Sequence, residues 1–188
     1  MVMNQLLTHN DRSRITAAAF HSVALATACL VSYWVVTTLL ARVYSISKAD
    51  DQLGGMWAVI ATLFVYRIGY QESIGAASSR MVATLLSFVL CLGYLIVAPF
   101  HPLGLAALIA IGTFLLMLVG RPGDIITAAI TTTVVMVVAG ISPQAAWLQP
   151  ILRLVDTAVG VAVGMGAAWI ALQVVSRRPT KLVSEPSN

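Results

Sequence analysis

Residues 81–120 form an apolar run that contains no Asp, Glu, Lys or Arg. As a single helix this run would be ~60 Å long, about twice the ~30 Å hydrocarbon core of a bilayer. Pro99, Pro102 and Gly104 lie near its middle, where they would break a helix. The pattern therefore predicts a hairpin of two helices that crosses a membrane twice.

The rest of the chain divides in the same way into apolar segments separated by short polar stretches. Each segment is near the ~20 residues that a transmembrane helix needs, and the alternation typical of a membrane β-barrel strand is missing. We predict an all-α integral membrane protein with one membrane domain at 15–175, flanked by an N-terminal segment at 1–14 and a disordered tail at 176–188. The six predicted transmembrane helices are 15–40, 53–69, 79–97, 103–120, 125–141 and 152–175.

Composition agrees with a membrane protein, because only 10% of the residues are charged, whereas soluble domains carry about a quarter. The net charge of +4 is better explained by contact with the lipid bilayer than by nucleic-acid binding. The two cysteines lie in apolar segments, and the three histidines have no metal-ligand spacing. No nucleophile–base pair or phosphate loop is visible, so we predict neither enzymatic activity nor a metal or other cofactor.

The distribution of basic residues predicts the orientation of the chain. With both termini in the cytoplasm, eight Lys and Arg residues fall on the inner side and three on the outer side, as the positive-inside rule favours. The outer three are Arg42, Lys48 and Arg153. Trp34, Trp57 and Trp147 would then lie toward the outer interface.

Two predicted helices begin with a similar pattern of residues. Arg80 is followed by Thr84 and Ser87, and Arg153 is followed by Thr157 and Gly160, at the same spacing and 73 residues later. The second copy lies three helices further along the chain, so it runs in the opposite direction. The pattern predicts an inverted repeat of three plus three helices.

The two arginines are the candidate substrate-binding residues. An arginine near a helix start combines the partial charge of the helix terminus with a planar fork of donors for carboxylates. Thr84 and Thr157 add hydroxyl groups, so Arg80 and Arg153 predict one anion-attracting entrance at each membrane face. Two alternatives stay open: Arg80 extends to lipid phosphates, and Arg153 pairs with Asp156, three residues later.

Gly160 and Gly164 predict close helix packing, inside the helix bundle or across a dimer. Elsewhere, Asp124 follows Arg121, Pro122 and Gly123, and this order is typical of a helix N-cap. No acidic residue lies near the middle of a predicted helix, so the sequence does not support proton coupling.

The chain resembles the superfamily of fusaric acid resistance proteins and aromatic acid exporters. The resemblance is carried by Trp57–Thr62 at the second predicted helix, by Gly75–Ser87 with its arginine and threonine, and by Arg153–Gly160. The superfamily has glycines where Ala83 and Ser87 stand here. The resemblance covers about residues 15–175 and implies export or conduction of organic, often aromatic, carboxylates.

These observations predict a transporter or exporter of organic anions in the bacterial inner membrane. A passive anion channel on the same scaffold and a non-transporting subunit of a larger assembly are the alternatives. Members of the superfamily are usually larger, with a cytoplasmic domain and often a second membrane module. A single module of six short helices therefore predicts a homodimer or a higher oligomer.

Overall fold

A computed structural model describes residues 2–44, 47–143 and 146–176, and these residues form an all-helical bundle without a strand. A π-helical segment, Val35–Leu40, continues the first helix, and a 3₁₀ turn, Pro122–Asp124, precedes the sixth. The predicted tail lies outside the described residues after Ser176. The helices are α1 (Val2–Trp34), α2 (Ala41–Tyr44), α3 (Lys48–Val65), α4 (Tyr70–Val97), α5 (Pro102–Leu118), α6 (Ile125–Ile141) and α7 (Leu148–Ser176).

The predicted hairpin break is present between α4 and α5. Ala98 is extended, and α5 begins with Pro102 in its first turn, where proline loses no helical hydrogen bond. The Nδ1 atom of His101 accepts a hydrogen bond from the backbone N–H of Leu103 at 3.2 Å and so caps the helix. The all-α fold and this break are confirmed.

Several predicted helix starts are wrong, because they were placed at charged or polar residues that the helices in fact include. Helix α3 begins at Lys48, where the Ser47 side chain accepts from the Asp50 backbone N–H, and not at residue 53. Helix α4 begins at Tyr70, so Arg80 lies about three turns inside it and receives no charge from the helix terminus. Residues 2–14 are helical and continuous with α1, and their assignment to an N-terminal cytoplasmic segment stays a prediction.

Within the described residues, four helical stretches are long and apolar enough to cross a membrane. Helix α5 is apolar but only 17 residues long, and α3 carries Lys48, Asp50 and Asp51 in its first turn. The protein is therefore a multi-pass membrane protein. Crossing by all six predicted helices stays a prediction. The four stretches are Arg14–Val43, Tyr70–Val97, Pro122–Ile141 and Leu148–Ser176.

Helix α3 lies at the centre of one half of the bundle, where it packs against α1, α4 and α7. Its inner face consists of Trp57, Ala58, Ala61 and Val65, all nearly inaccessible to solvent. In the other half, α6 packs against α4 and α5. Helices α4 and α7 also pack against each other and so join the two halves.

Similar polar contacts hold α7 to α3 and α4 to α6. The Thr62 hydroxyl donates to the carbonyl oxygen of Gly160 at 3.1 Å, between α3 and α7. The Thr132 hydroxyl donates to the Ser87 hydroxyl at 3.1 Å, between α6 and α4. Because Ser87 and Gly160 hold equivalent positions in the predicted repeat, the contacts agree with that repeat, which stays a prediction.

Candidate functional site

The guanidinium group of Arg80 lies inside the bundle between two aromatic rings. Its Cζ atom is 5.1 Å from the ring centroid of Trp57 and 5.0 Å from that of Phe64, and the residue is only 2% exposed. Trp57 and Phe64 are seven residues apart on α3, so they lie on one face, two turns apart. The burial does not agree with the interpretation that Arg80 extends to lipid phosphates.

Two edge nitrogens of this guanidinium group, Nε and Nη2, are buried and have no hydrogen-bond partner. The Thr84 hydroxyl, one turn further along α4, is also buried without a partner. Buried polar groups are nearly always hydrogen-bonded, so three unpaired groups on one helix face require an explanation. Nε and Nη2 form the edge that binds a carboxylate through two parallel hydrogen bonds.

A cavity of about 80 Å³ lies beside Arg80. Two arginines, one serine and one threonine line the cavity, and none of its lining residues is acidic. A water molecule occupies about 30 Å³ in the liquid, so the cavity has room for a carboxylate group. Its lining residues are Phe64, Arg67, Ala76, Ser79, Arg80 and Thr127.

Asp124 contacts the edge of this cavity in a way that the sequence did not predict. Its side chain makes no N-cap hydrogen bond. The carboxylate accepts a short hydrogen bond from the Ser79 hydroxyl instead, and it pairs with Nε of Arg121 at 2.9 Å. The prediction of a capping side chain is wrong, because the ion pair and the contact with α4 use the carboxylate.

Arg153 and Asp156 form a buried ion pair on α7. The Arg153 Nη1 and Asp156 Oδ2 atoms are 3.1 Å apart, and both side chains are almost inaccessible to solvent. Asp50 and Asp51 line the same narrow cavity from α3, so three carboxylates accompany one guanidinium group. This charge balance does not favour an anion.

The predicted association of Thr157 with Arg153 is not the contact that the structure describes. The Thr157 hydroxyl accepts a hydrogen bond from Nε1 of Trp57 at 3.0 Å. Trp57 therefore contacts the guanidinium group of Arg80 with its ring and α7 with its N–H group. Trp57 is 2% exposed, so it faces the interior of the bundle, and its position toward the outer interface stays a prediction.

Gly160 and Gly164 pack against α3 within the chain. A Cβ atom at Gly160 would lie 2.2 Å from the carbonyl oxygen of Ala58, and one at Gly164 would lie 3.2 Å from that of Thr62. The two glycines therefore allow the close approach of α7 and α3. A Cβ atom at the nearby Gly166 would meet nothing within 4 Å.

Sequence reasoning missed Arg67 and Phe64 as parts of the Arg80 cavity. Arg67 follows the end of α3, in the connection between two helices, where a charged side chain is usually solvated. Only four residues, 66–69, separate α3 from α4, and a connection this short keeps Arg67 near the neighbouring helix. The seven-residue spacing of Trp57 and Phe64 also places both rings on one face of α3, where they could contact the same side chain.

Neither the curated proteins nor the solved structures include a match to this chain. The family model for fusaric acid resistance protein-like proteins matches residues 35–167 of the 188. The matched range includes Trp57, Arg80 and the Arg153–Asp156 pair. The chain therefore belongs to the fusaric acid resistance protein-like family, a family of membrane transport proteins.

Proposed function

We propose that the protein exports organic carboxylate anions, including aromatic ones, across the bacterial inner membrane, and that Arg80 binds the carboxylate group. The observation that carries the proposal is the pair of buried, unpartnered Nε and Nη2 groups of Arg80. Arg80 lies on α4, which is long and apolar enough to span a membrane.

An unpaired charge inside a membrane protein is costly, and charged residues in membrane helices mark substrate pathways. Truncating one partner of a buried ion pair costs about 3–5 kcal/mol, and most of that is the penalty of the charge left behind. A bound carboxylate would remove this penalty by pairing with Nε and Nη2, and the Thr84 hydroxyl would add a third donor. Trp57 and Phe64 hold the plane of the guanidinium group by cation–π contacts.

The other predicted substrate-binding residues have different roles in this proposal. Arg153 and Asp156 neutralise each other at the opposite end of the bundle, so the anion site is assigned to the Arg80 end alone. Thr157 holds the indole ring of Trp57, and the ring in turn holds Arg80. Gly160 and Gly164 bring α7 close enough to α3 for this contact.

In this proposal the chain has six membrane helices with both termini in the cytoplasm, and it works as a homodimer or a higher oligomer. Arg80 and its cavity then lie toward the cytoplasm, where an exported anion would enter. The position of Trp57, between Arg80 and the α7 residue Thr157, favours a transporter with a closed path over a permanently open anion channel. A non-transporting subunit would leave the unpartnered donors of Arg80 unexplained.

Flux of 4-hydroxybenzoate in liposomes that contain only the purified protein would test the proposal. Arg80→Gln should reduce the flux at least about tenfold, because one bidentate charged contact contributes about 1.5–3 kcal/mol. Arg80→Lys should restore little, because an ammonium group cannot form the planar fork. Arg42→Gln, at an exposed arginine outside the cavity, is the matched control.

Protein-free liposomes measure the leak of the neutral acid, and the pH gradient is varied independently. Wild-type flux by the Arg80→Gln variant at matched incorporation would overturn the assignment of the anion site. No flux by the purified wild-type protein would favour the non-transporting subunit. Flux that follows only the anion gradient, whatever the pH gradient, would favour the passive channel.

A further inference from the structure

We propose that Arg67 is the residue that first captures the anion at the entrance of the Arg80 cavity, and that Ser73 positions Arg67 for this role. The inference rests on the proposed function and extends it to a second cationic residue. The structure brings Arg67 into one cavity with Arg80.

The residues that line the cavity differ in how exposed they are to solvent. Arg67 is exposed, Phe64 is 40% exposed, and Arg80 is 2% exposed. Arg67 and Phe64 therefore lie at the rim of the cavity, and Arg80 lies at its base. An anion that enters from solvent meets the guanidinium group of Arg67 before that of Arg80.

The side chain of Arg67 keeps most of its donors available. The hydrogen bonds described for its guanidinium group are two long contacts of Nη1, at 3.4 Å to the carbonyl oxygen of Leu63 and at 3.3 Å to that of Tyr66. Both distances lie beyond the usual range of 2.7–3.2 Å for an N–H to oxygen hydrogen bond. An arginine held this weakly can turn toward a ligand at little cost.

The backbone of Arg67 is held more firmly than its side chain. The Ser73 hydroxyl, which is fully buried, accepts a hydrogen bond from the Arg67 backbone N–H at 2.9 Å. The preceding residue, Tyr66, is hydrogen-bonded through its hydroxyl to Nδ1 of His21 on α1 at 2.8 Å. The connection between α3 and α4 is therefore fixed to two helices, which keeps the Arg67 side chain at the cavity rim.

The charge of the cavity supports capture by long-range attraction. Two guanidinium groups line it, and the carboxylate at its edge, that of Asp124, is paired with Arg121. A cleft lined by charge of one sign raises the local concentration of the opposite ion and accelerates its binding. Because Arg67 is exposed, salt should screen its contribution strongly, whereas the buried Arg80 should be screened much less.

Initial rates of 4-hydroxybenzoate flux at about 20 mM and about 300 mM salt would separate the two arginines. We expect Arg67→Gln to raise the KM about fivefold at low salt, to leave kcat within about twofold, and to lose most of the salt dependence of the wild-type protein. Arg67→Lys should keep the salt dependence, because capture needs charge and not a fork of donors. Arg80→Gln should lower the flux by a similar factor at both salt concentrations, because salt screens the buried charge much less.

Ser73→Ala tests the positioning role, because it removes the hydrogen bond and leaves both arginines in place. Like Arg67→Gln, it should raise the KM, but by a smaller factor, and it should keep the salt dependence.

Arg14→Gln, at an exposed arginine on α1 away from the cavity, is the control. An unchanged KM and salt dependence in Arg67→Gln, with flux lost in Arg80→Gln, would overturn this inference alone. Wild-type flux in Arg80→Gln would overturn the proposed function instead.

Discussion

At the scale of single residues, the centre of the candidate site is an indole ring with two partners. The ring of Trp57 faces the guanidinium group of Arg80, and its N–H group donates to Thr157. An α3 residue therefore connects the candidate anion-binding residue of α4 to α7. The two contacts use different parts of the ring, so substitutions can separate them.

Trp57→Phe should keep an aromatic ring near Arg80 while it removes the donor to Thr157 and the second ring of the buried indole. We expect the free energy of unfolding to fall by about 2–3 kcal/mol, about 1 kcal/mol of it from the hydrogen bond and the rest from the cavity left behind, while anion binding persists. Trp57→Leu also removes the aromatic face, so it should weaken anion binding as well as stability. Thermal unfolding in detergent and titration with 4-hydroxybenzoate measure the two effects. Equal loss of anion binding in both variants would contradict the separation.

The buried ion pair of Arg153 and Asp156 gives a second prediction. Asp156→Asn removes the carboxylate in direct contact with Arg153, and it should lower the free energy of unfolding by about 3 kcal/mol. The double variant with Arg153→Gln should regain part of this loss, because the Arg153 charge is then no longer left beside a removed partner. The double variant should also keep anion flux, since the proposal gives the pair a structural role. If the stability losses of the two single variants simply add in the double variant, or if the double variant loses flux, the structural role of the pair is contradicted.

The sequence led to the two arginines and to the Arg153–Asp156 pair, because charges stand out in apolar segments and a spacing of three residues is local. It did not lead to the partners of Arg80. The contacts of Arg80 with Trp57 and Phe64 join different helices, and periodicity within one helix carries no information on how two helices face each other. The pairing of Thr157 with Trp57 was missed for the same reason.

At the scale of helices, the breaks were easier to predict than the starts. Pro99, Pro102 and Gly104 forbid a continuous helix whatever surrounds them, and the break lies where they occur. Charged side chains impose no such limit, since Glu72 and Arg80 are accommodated within α4. An apolar segment therefore indicates which part of a helix can lie in lipid. It does not indicate where the helix begins, because the helix continues into the neighbouring polar residues.

The contact between α3 and α7 depends on glycine at position 160. Gly160→Ala would place a Cβ atom 2.2 Å from a backbone oxygen, which cannot move as a side-chain end can. We expect a loss of about 3 kcal/mol in the free energy of unfolding, near the upper end of the usual cost of overpacking. Gly164→Ala should cost less, because its closest contact would be 3.2 Å.

Gly166→Ala is the matched control for this series, because its Cβ atom would lie in open space on the same helix. It should be neutral or slightly stabilising, since alanine favours a helix over glycine. Thermal unfolding in one detergent gives the order of the three variants. Similar stability of the Gly160→Ala and Gly166→Ala variants would mean that α7 and α3 are less close than described.

At the scale of the whole molecule, the two ends of the bundle differ in charge. The end that contains Ser79 in contact with Asp124 also carries Arg67 and the Arg80 cavity. The end where the Gln149 amide donates to Asp50 at 3.2 Å carries the Arg153 pair with its surrounding carboxylates. Since cytoplasmic ends are enriched in arginine and lysine, this difference favours the predicted orientation.

Labelling of single cysteines in intact cells tests that orientation. In a background with Cys29→Ala and Cys91→Ala, a thiol reagent that cannot cross the membrane should react after Lys48→Cys, at the start of α3. It should not react after Gly123→Cys, between α5 and α6, or after Ser176→Cys, at the end of α7. All three positions are exposed, so permeabilised cells should label all of them and provide the control.

The reversed labelling pattern would place both termini outside, and it would change the functional conclusion as well as the topology. The Arg80 cavity and its rim residue Arg67 would then open to the outside of the cell. An anion captured there would be taken up rather than exported. Orientation therefore decides the direction that the anion site serves. The chemistry of the site stays the same, with the guanidinium group of Arg80 between two aromatic rings and that of Arg67 at the rim of the cavity.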